Sequence, residues 1–376
     1  MTLALNVPRP EFLAGLAALQ NITGKKGTLA VLANILLEAD QEGLLMTATD
    51  LEVGIRCQVP AEIISPGRIT LPARKLFELV RESEESHIHL EEQENFWVRI
   101  SAQASDCRLA GIGADEFPTF PPYREDNMVT VSSRLMNNLI DKTIYSVAQE
   151  GENNFNLAGL LLERESLEED HFLRMVSSDG HRLSMMEGKV EWDLSPIPQD
   201  RVILIPRKGA QEIRKLCEEA DSLFLGVEEK QVVVKAGVFI LVIRLMSGDF
   251  PDYKGIVKAI NKAKYITVNR KNMMHSLKRV NIFTEDRFNA VSFVIENNKI
   301  TLSSQNMDYG SAKEDITVEY EGETMQLGFN GKYFYESLQV MESENIKAYI
   351  NSEESPCLIQ GEKDPGYLSI IMPMKL

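Results

Sequence analysis

Cysteine is scarce in this sequence: Cys57, Cys107, Cys217 and Cys357 are the four among 376 residues. No CxxC pair occurs, so neither a zinc framework nor a disulfide framework is expected, and the thiols read as free and reduced, as in a cytoplasmic protein. Long hydrophobic runs are also missing. The longest strongly apolar stretch, residues 238–243, has strand length and falls far short of the ~20 residues of a membrane helix. No membrane partner is expected. The opening MTLALNVPRPEF lacks the basic and then apolar signature of a secretory signal, and a cytoplasmic location is the expectation. Positive charge is in deficit, with 40 Lys and Arg against 56 Asp and Glu and a net charge of −16. That balance disfavours wrapping nucleic acid unless the cations gather on one surface.

The signatures of catalysis are absent as well. There is no GxxxxGK phosphate loop and no GxGxxG fingerprint. Asp179 and His181 stand two apart in a tight turn, with no Ser or Cys nucleophile motif beside them. His87 and His89 alternate on one strand face without a third ligand nearby. The sequence therefore reads as a non-enzyme with no metal and no cofactor. Hydrophobic residues at 44% and charged residues at 26% are ordinary for globular chains, and 376 residues allow about two to four domains.

What is present is repetition. A strand pair closed by a small polar turn occurs three times: NILLEADQEGLLMTATD (34–50), GLLLERESLEEDHFLRMVSSD (159–179) and VSFVIENNKITLSSQN (291–306). Its equivalent ends, Asp50, Asp179 and Asn306, are 129 and 127 positions apart. A strand running into a helix also occurs three times: ITLPARKLFELV (69–80), VILIPRKGAQEIRKL (202–216) and MQLGFNGKYFYESLQV (325–340). Pro72 and Pro206 suit a helix start, which has unpaired N–H groups in any case. Asn330 takes their place in the third copy and predicts a side-chain cap. An amphipathic helix precedes each strand pair, near 10–20, 132–148 and 269–281, with Leu135, Leu139, Ile140 and Ile144 as the apolar stripe of the second. DEFP (115–118) and GDFP (248–251) close the first two copies. The order predicts three homologous α+β modules, 1–124, 125–254 and 255–376, each with two helices on antiparallel sheet, since the short links favour antiparallel pairing.

Charge is distributed unevenly over these elements. The six helices, taken as 9–20, 71–81, 132–148, 206–219, 269–281 and 330–341, hold 15 Lys and Arg against seven Asp and Glu; the remaining chain holds 25 against 49. Helix 269–281 contains Arg270, Lys271, Lys278 and Arg279 and no acid, while Arg74 and Lys75, and Arg207 and Lys208, open their helices. Basic helices in an acidic chain would suit a surface that attracts duplex DNA through its phosphates without reading sequence. A protein-interaction scaffold of the same fold that does not hold DNA is the second reading.

The motifs LPARK (71–75), DEFP, SSDGHRL (177–183), IPRKG (205–209), GDFPDY (248–253) and IMPMKL (371–376) together resemble the bacterial DNA polymerase III beta subunit family of sliding clamps, in the same order and over essentially the whole chain. The resemblance implies a head-to-tail homodimeric ring of six modules that encircles double-stranded DNA, closed by one heterologous interface used twice. It implies Lys75 and Cys107 on one side of that interface and Ile282 and Phe283 on the other. It further implies a pocket for short apolar motifs of the replicative polymerase, the clamp loader and repair proteins. By position the pocket comprises Leu157, Ser178, Gly180, His181, Arg182, Leu183, Pro251, Ile256, Asn330, Tyr333, Met372, Pro373 and Met374, with His181 and Arg182 as polar rim groups. DNA contact is implied for Lys26 with Lys25 beside it, and for Gln149, where the following acidic and amide-rich residues depart from the pattern. Arg74, Arg207, Lys208, Arg270, Lys271, Lys278 and Arg279 complete the expected DNA-facing set.

Overall fold

A computed structural model describes residues 2–24, 29–102, 105–149, 157–167, 170–284 and 288–375. Lys25, Lys26 and the loop immediately after Gln149 lie outside the described residues. Each repeated strand pair is an antiparallel hairpin: Asn34–Asp40 with Gly43–Thr49, Gly159–Leu167 with Asp170–Ser178, and Ala290–Glu296 with Lys299–Asn306. The three polar ends share one geometry. Asp50 Oδ1 accepts from the N–H groups of Glu52 and Val53, Asp179 Oδ1 from those of His181 and Arg182, and Asn306 Oδ1 from those of Asp308 and Tyr309. A short carboxylate or amide that reaches its own backbone two and three residues on holds the same turn in each copy.

The helices are α1 (Arg9–Leu19), α2 (Ala73–Glu82), α3 (Ser133–Asp141), α4 (Arg207–Leu216), α5 (Tyr253–Ala259), α6 (Arg270–Val280) and α7 (Gly331–Gln339). Asn330 caps α7 as expected, its side chain accepting from the N–H groups of Lys332 and Tyr333. Two expectations need correction. The helix foreseen over 132–148 ends at Asp141, followed by a 3-10 turn at Ile144–Ser146. Lys142 is buried with its Nζ 2.7 Å from Asp364, and the Thr143 hydroxyl donates back to the Leu139 carbonyl at 2.5 Å. These side-chain bonds compete with continuation of the helix. In the stripe foreseen on this helix, Leu139 and Ile140 are buried, and Met136 rather than Leu135 accompanies them. The short α5 was not foreseen; Asp252 caps it by accepting from Gly255 N–H.

The chain forms two compact units, Met1–Ser133 with Gln211–Leu245 and Arg134–Ala210 with Met246–Leu376. The first contains a five-stranded and a nine-stranded sheet, the second a twelve-stranded sheet. In the first unit α1 packs on α2, with Phe12, Leu16 and Leu19 of α1 and Leu76 and Val80 of α2 buried. In the second, α6 packs on α7 over a cluster of Phe293, Phe329 and Phe334 with ring centroids 4.9–5.2 Å apart. The same clamp closes both helix pairs. Arg9 donates to the Val80 and Arg81 carbonyls at the end of α2, and Arg270 to the Leu338 and Ser343 carbonyls at the end of α7. Each guanidinium brings a charged donor to carbonyls at or just beyond a helix C-terminus.

The long sheets grow by one kind of joint. In the first unit Val53–Val59, the strand following the first hairpin, pairs antiparallel with Phe239–Arg244, the last strand of the middle third. In the second unit Arg182–Val190, which follows the second hairpin, pairs antiparallel with Tyr367–Ile371, the last strand of the chain. The corresponding strand after the third hairpin, Gly310–Glu319, has a second neighbour only at Val318 and Glu319. The counterpart in the first third, Ser105–Ala110, is an edge strand.

Candidate functional site

In the second unit a groove of about 1280 Å³ runs beside the C-terminal segment. Two backbone bonds hold that segment: Met372 N–H donates to the His181 carbonyl at 2.9 Å and Met374 N–H to the Gly328 carbonyl at 2.8 Å. Six of the thirteen expected pocket residues meet in this groove: His181, Asn330, Tyr333, Met372, Pro373 and Met374. Phe288, Ala290, Ser292, Ser303, Gln305, Ser311, Lys313 and Gln326 extend it over the third hairpin region. Sequence reasoning missed these. They come from separate strands and the segment before them, so their shared surface becomes visible only once register is known.

The remaining expected residues stand around the groove or apart from it. Ser178, Gly180 and Leu183 belong to the turn that carries His181. Ser178 Oγ accepts from Gly180 N–H and donates to the Arg182 carbonyl. Gly180 has φ +90°, in the left-handed region where a side chain is strained. Leu157 is buried, and its carbonyl accepts from Ala148 N–H. Pro251 lines a separate groove of about 510 Å³ together with Glu163, Arg164 and Arg201. Ile256 projects from α5, 39% exposed.

Arg182 is not a rim group. It is 8% exposed and pairs with Asp179 at 3.0 Å and with Glu336. Its guanidinium also lies 4.2 Å from the Tyr333 ring centroid and donates to the Tyr145 carbonyl. Burial alone would lower its pKa, but Glu336 and Asp179 outweigh burial and hold it above the ordinary value. Arg182 therefore fixes Tyr333, a wall of the groove, from behind. A polar layer continues below. Tyr145 and Tyr367 hydroxyls are 2.8 Å apart, Ser337 and Ser369 hydroxyls 2.8 Å apart, and the Lys142–Asp364 pair is almost fully buried. The groove thus combines an apolar floor of Met, Pro and Tyr, which can adapt to an apolar guest, with a rigid polar support.

The expected DNA-facing cations divide by their partners. Arg74 is 86% exposed and pairs with Glu78, and Arg279 pairs with Glu314 at 2.6 Å. Lys271, Lys278 and Arg207 are exposed, Lys208 is half-buried and Gln149 is exposed. Lys278 lies over the Tyr335 ring, 5.3 Å from its centroid. Arg270 is half-buried, with its donors turned to the end of α7 as described above. Of the residues expected at a subunit contact, Lys75 and Cys107 line one groove of about 350 Å³ in the first unit. In the second unit Ile282 is 69% exposed and precedes Phe283, whose ring lies beside Gly310 at the start of strand Gly310–Glu319.

Among the described residues no group of three His, Cys, Asp or Glu side chains is arranged to hold a metal. His89 instead meets Asn6 and His87 meets Ser86. Cys57 is buried, its thiol pushed up to about 12 by burial. Among the described residues no helix is long and apolar enough to cross a membrane. Repeated α+β units with extended sheets and an adaptable apolar groove define a binding protein built from copies of one module.

Comparison with known proteins makes the class specific. Sequence models of the DNA polymerase III beta subunit match over three stretches: the N-terminal domain at residues 3–121, the central domain at 130–252 and the C-terminal domain at 260–375. The beta sliding clamp of Caulobacter vibrioides is 29% identical over 99% of this chain and all of that protein, and that of Chlamydia muridarum 28% identical over 95% of this chain and 94% of that protein. The solved Caulobacter crescentus clamp superposes with a TM-score of 0.91 at 29% identity, covering both chains fully. The Bartonella birtlesii clamp, solved bound to griselimycin, superposes with a TM-score of 0.92 at 25% identity, also covering both fully. The chain belongs to the DNA polymerase III beta subunit family. As such it is a ring-forming DNA polymerase processivity factor and not an enzyme.

Proposed function

We propose that two copies of this chain, each of three modules (1–124, 125–254, 255–376), close head to tail around duplex DNA in the cytoplasm. The observation that carries the reading is the repeated sheet joint. Two such joints occur within the chain, and their third counterpart is open along residues 310–317 on one side and on Ser105–Ala110 on the other. Joining these strands between copies uses one heterologous contact twice and closes a ring. It also covers edge strands that would otherwise invite aggregation. Cys107 lies on one open strand and Lys75 shares its groove, while Ile282 and Phe283 stand beside the start of the other; we assign them to the contact.

The cations Arg74, Arg207, Lys208, Lys271, Lys278 and Arg279, with Lys25, Lys26 and Gln149, are assigned to the DNA side. Arg270 adds its charge there while its hydrogen bonds remain on α7. Dispersed cations give sequence-independent attraction and leave the duplex free to slide. The groove at Met372–Met374, His181, Asn330 and Tyr333 is assigned to short apolar motifs of the replicative polymerase, the clamp loader and repair proteins, with the turn Ser178–Leu183, Leu157, Pro251 and Ile256 around it. Binding of a labelled apolar peptide to the wild type and to a form lacking Met372–Leu376 tests the groove. Loss of binding with an unchanged dimer supports it, and unchanged affinity removes it.

A further inference from the structure

The groove carries a charge pattern that an apolar pocket does not need. Acids make up 56 of the 376 residues, yet among the described residues none lines this groove; its described titratable lining is His181, Tyr333, Lys313 and Lys375. Among the described residues, neither lysine has a carboxylate partner. The nearby acids are engaged elsewhere. Glu314, next to Lys313, points to the opposite face by strand alternation and pairs with Arg279. Asp315 shares the Lys313 face but accepts from the Thr301 hydroxyl at 2.6 Å, and Glu353 accepts from Gln326 N–H.

Register sets Lys313 at a defined distance. Met374 bridges to Gly328, Gly328 pairs with Ser292, Ser292 with Ser303, and Ser303 with Lys313. The row is polar beyond Met374 and crosses three strand spacings from Gly328 to Lys313, or roughly 14 Å. An extended peptide covers that distance in about four residues.

Building on the peptide-groove reading above, we propose that this groove selects apolar peptides with an acidic flank, and that Lys313, helped by Lys375, reads a carboxylate about four residues from the apolar anchor. In a chain of net charge −16, a row of groove positions that among the described residues carries lysines and no acid is what lets an acidic segment approach, since more distant acids are screened beyond about 8 Å at physiological salt. The serine row offers hydroxyls to the intervening peptide backbone.

Three labelled peptides test this by fluorescence anisotropy on the full-length dimer: a neutral apolar peptide, the same peptide with an Asp pair four residues from the anchor, and one with the pair adjacent to the anchor. The four-residue spacing should bind about three- to fivefold tighter than the neutral peptide, and the adjacent pair should gain less. Lys313→Glu should erase the gain, read as the ratio of acidic-peptide to neutral-peptide affinity within the same variant, so that any general change in the groove cancels. No gain in the wild type, or a gain that survives Lys313→Glu, overturns the inference and leaves the groove reading standing. A neutral peptide that fails to bind overturns both. An oligothymidylate that displaces the acidic peptide but not the neutral one assigns the lane to phosphate and also overturns the inference.

Discussion

At the scale of single residues, two buried ion pairs organise the second unit. Arg182 and Asp179 are neighbours in sequence, but Glu336 is 154 positions away, which is why a turn containing His181-Arg182 reads as two rim groups until the fold is known. Only His181 is exposed. Arg182→Ala leaves Asp179 buried without its cation and should lower the unfolding free energy by about 3 kcal/mol, read as a shift in the denaturation midpoint. It should also weaken apolar-peptide binding, because Tyr333 loses its support.

Asp364 gives a pH-dependent counterpart. Burial pushes its carboxyl up, but hydrogen bonds from Lys142, from the Ser343 side chain and from the backbone N–H groups of Glu342 and Ser343 outweigh burial and hold it below its ordinary value of 3.8. A depressed folded value contributes stability above the ordinary pKa, and that stability is lost as pH falls through the folded value. Wild-type urea midpoints should therefore fall as pH drops below about 4, and Asp364→Asn should be less stable at neutral pH with a shallower acid limb. An equally steep limb in the variant would show that Asp364 does not set it.

At the scale of elements, the hairpins were the most legible part. Their polar ends, Asp50, Asp179 and Asn306, act on their own backbone, so local sequence suffices to define them. The Asn330 cap was legible for the same reason. The overlong helix 132–148 was not, because its end depends on Lys142 reaching Asp364, 222 positions on. The seven-residue α5 was too short for a periodic stripe, although Asp252 three residues before Gly255 was an available cap signal. The groove was legible at its motif-bearing edge, Met372–Met374 and His181, and illegible over the outer face of the third hairpin region.

Element-scale charge is testable on α6. Arg279 is paired with Glu314, so the exposed Lys271 and Lys278 are the cleaner targets. Changing both to Glu should reduce DNA affinity regardless of sequence and lower the salt slope by about 1 for each phosphate no longer neutralised. An unchanged slope would place α6 away from DNA.

At the scale of the whole molecule, ring closure rests on the open joint. Ile282→Asp puts a carboxylate at the assigned contact and should shift sedimentation from a dimer to a monomer of 42.4 kDa, with peptide binding retained because the groove lies within one chain. Persistence of the dimer would move the contact elsewhere. The most direct measurement of the encircling ring is retention on a nicked circular plasmid. Protein assembled on the circle should co-elute with the plasmid at high salt and be released when the plasmid is linearised. Equal retention on circular and linear DNA would contradict a ring held by topology.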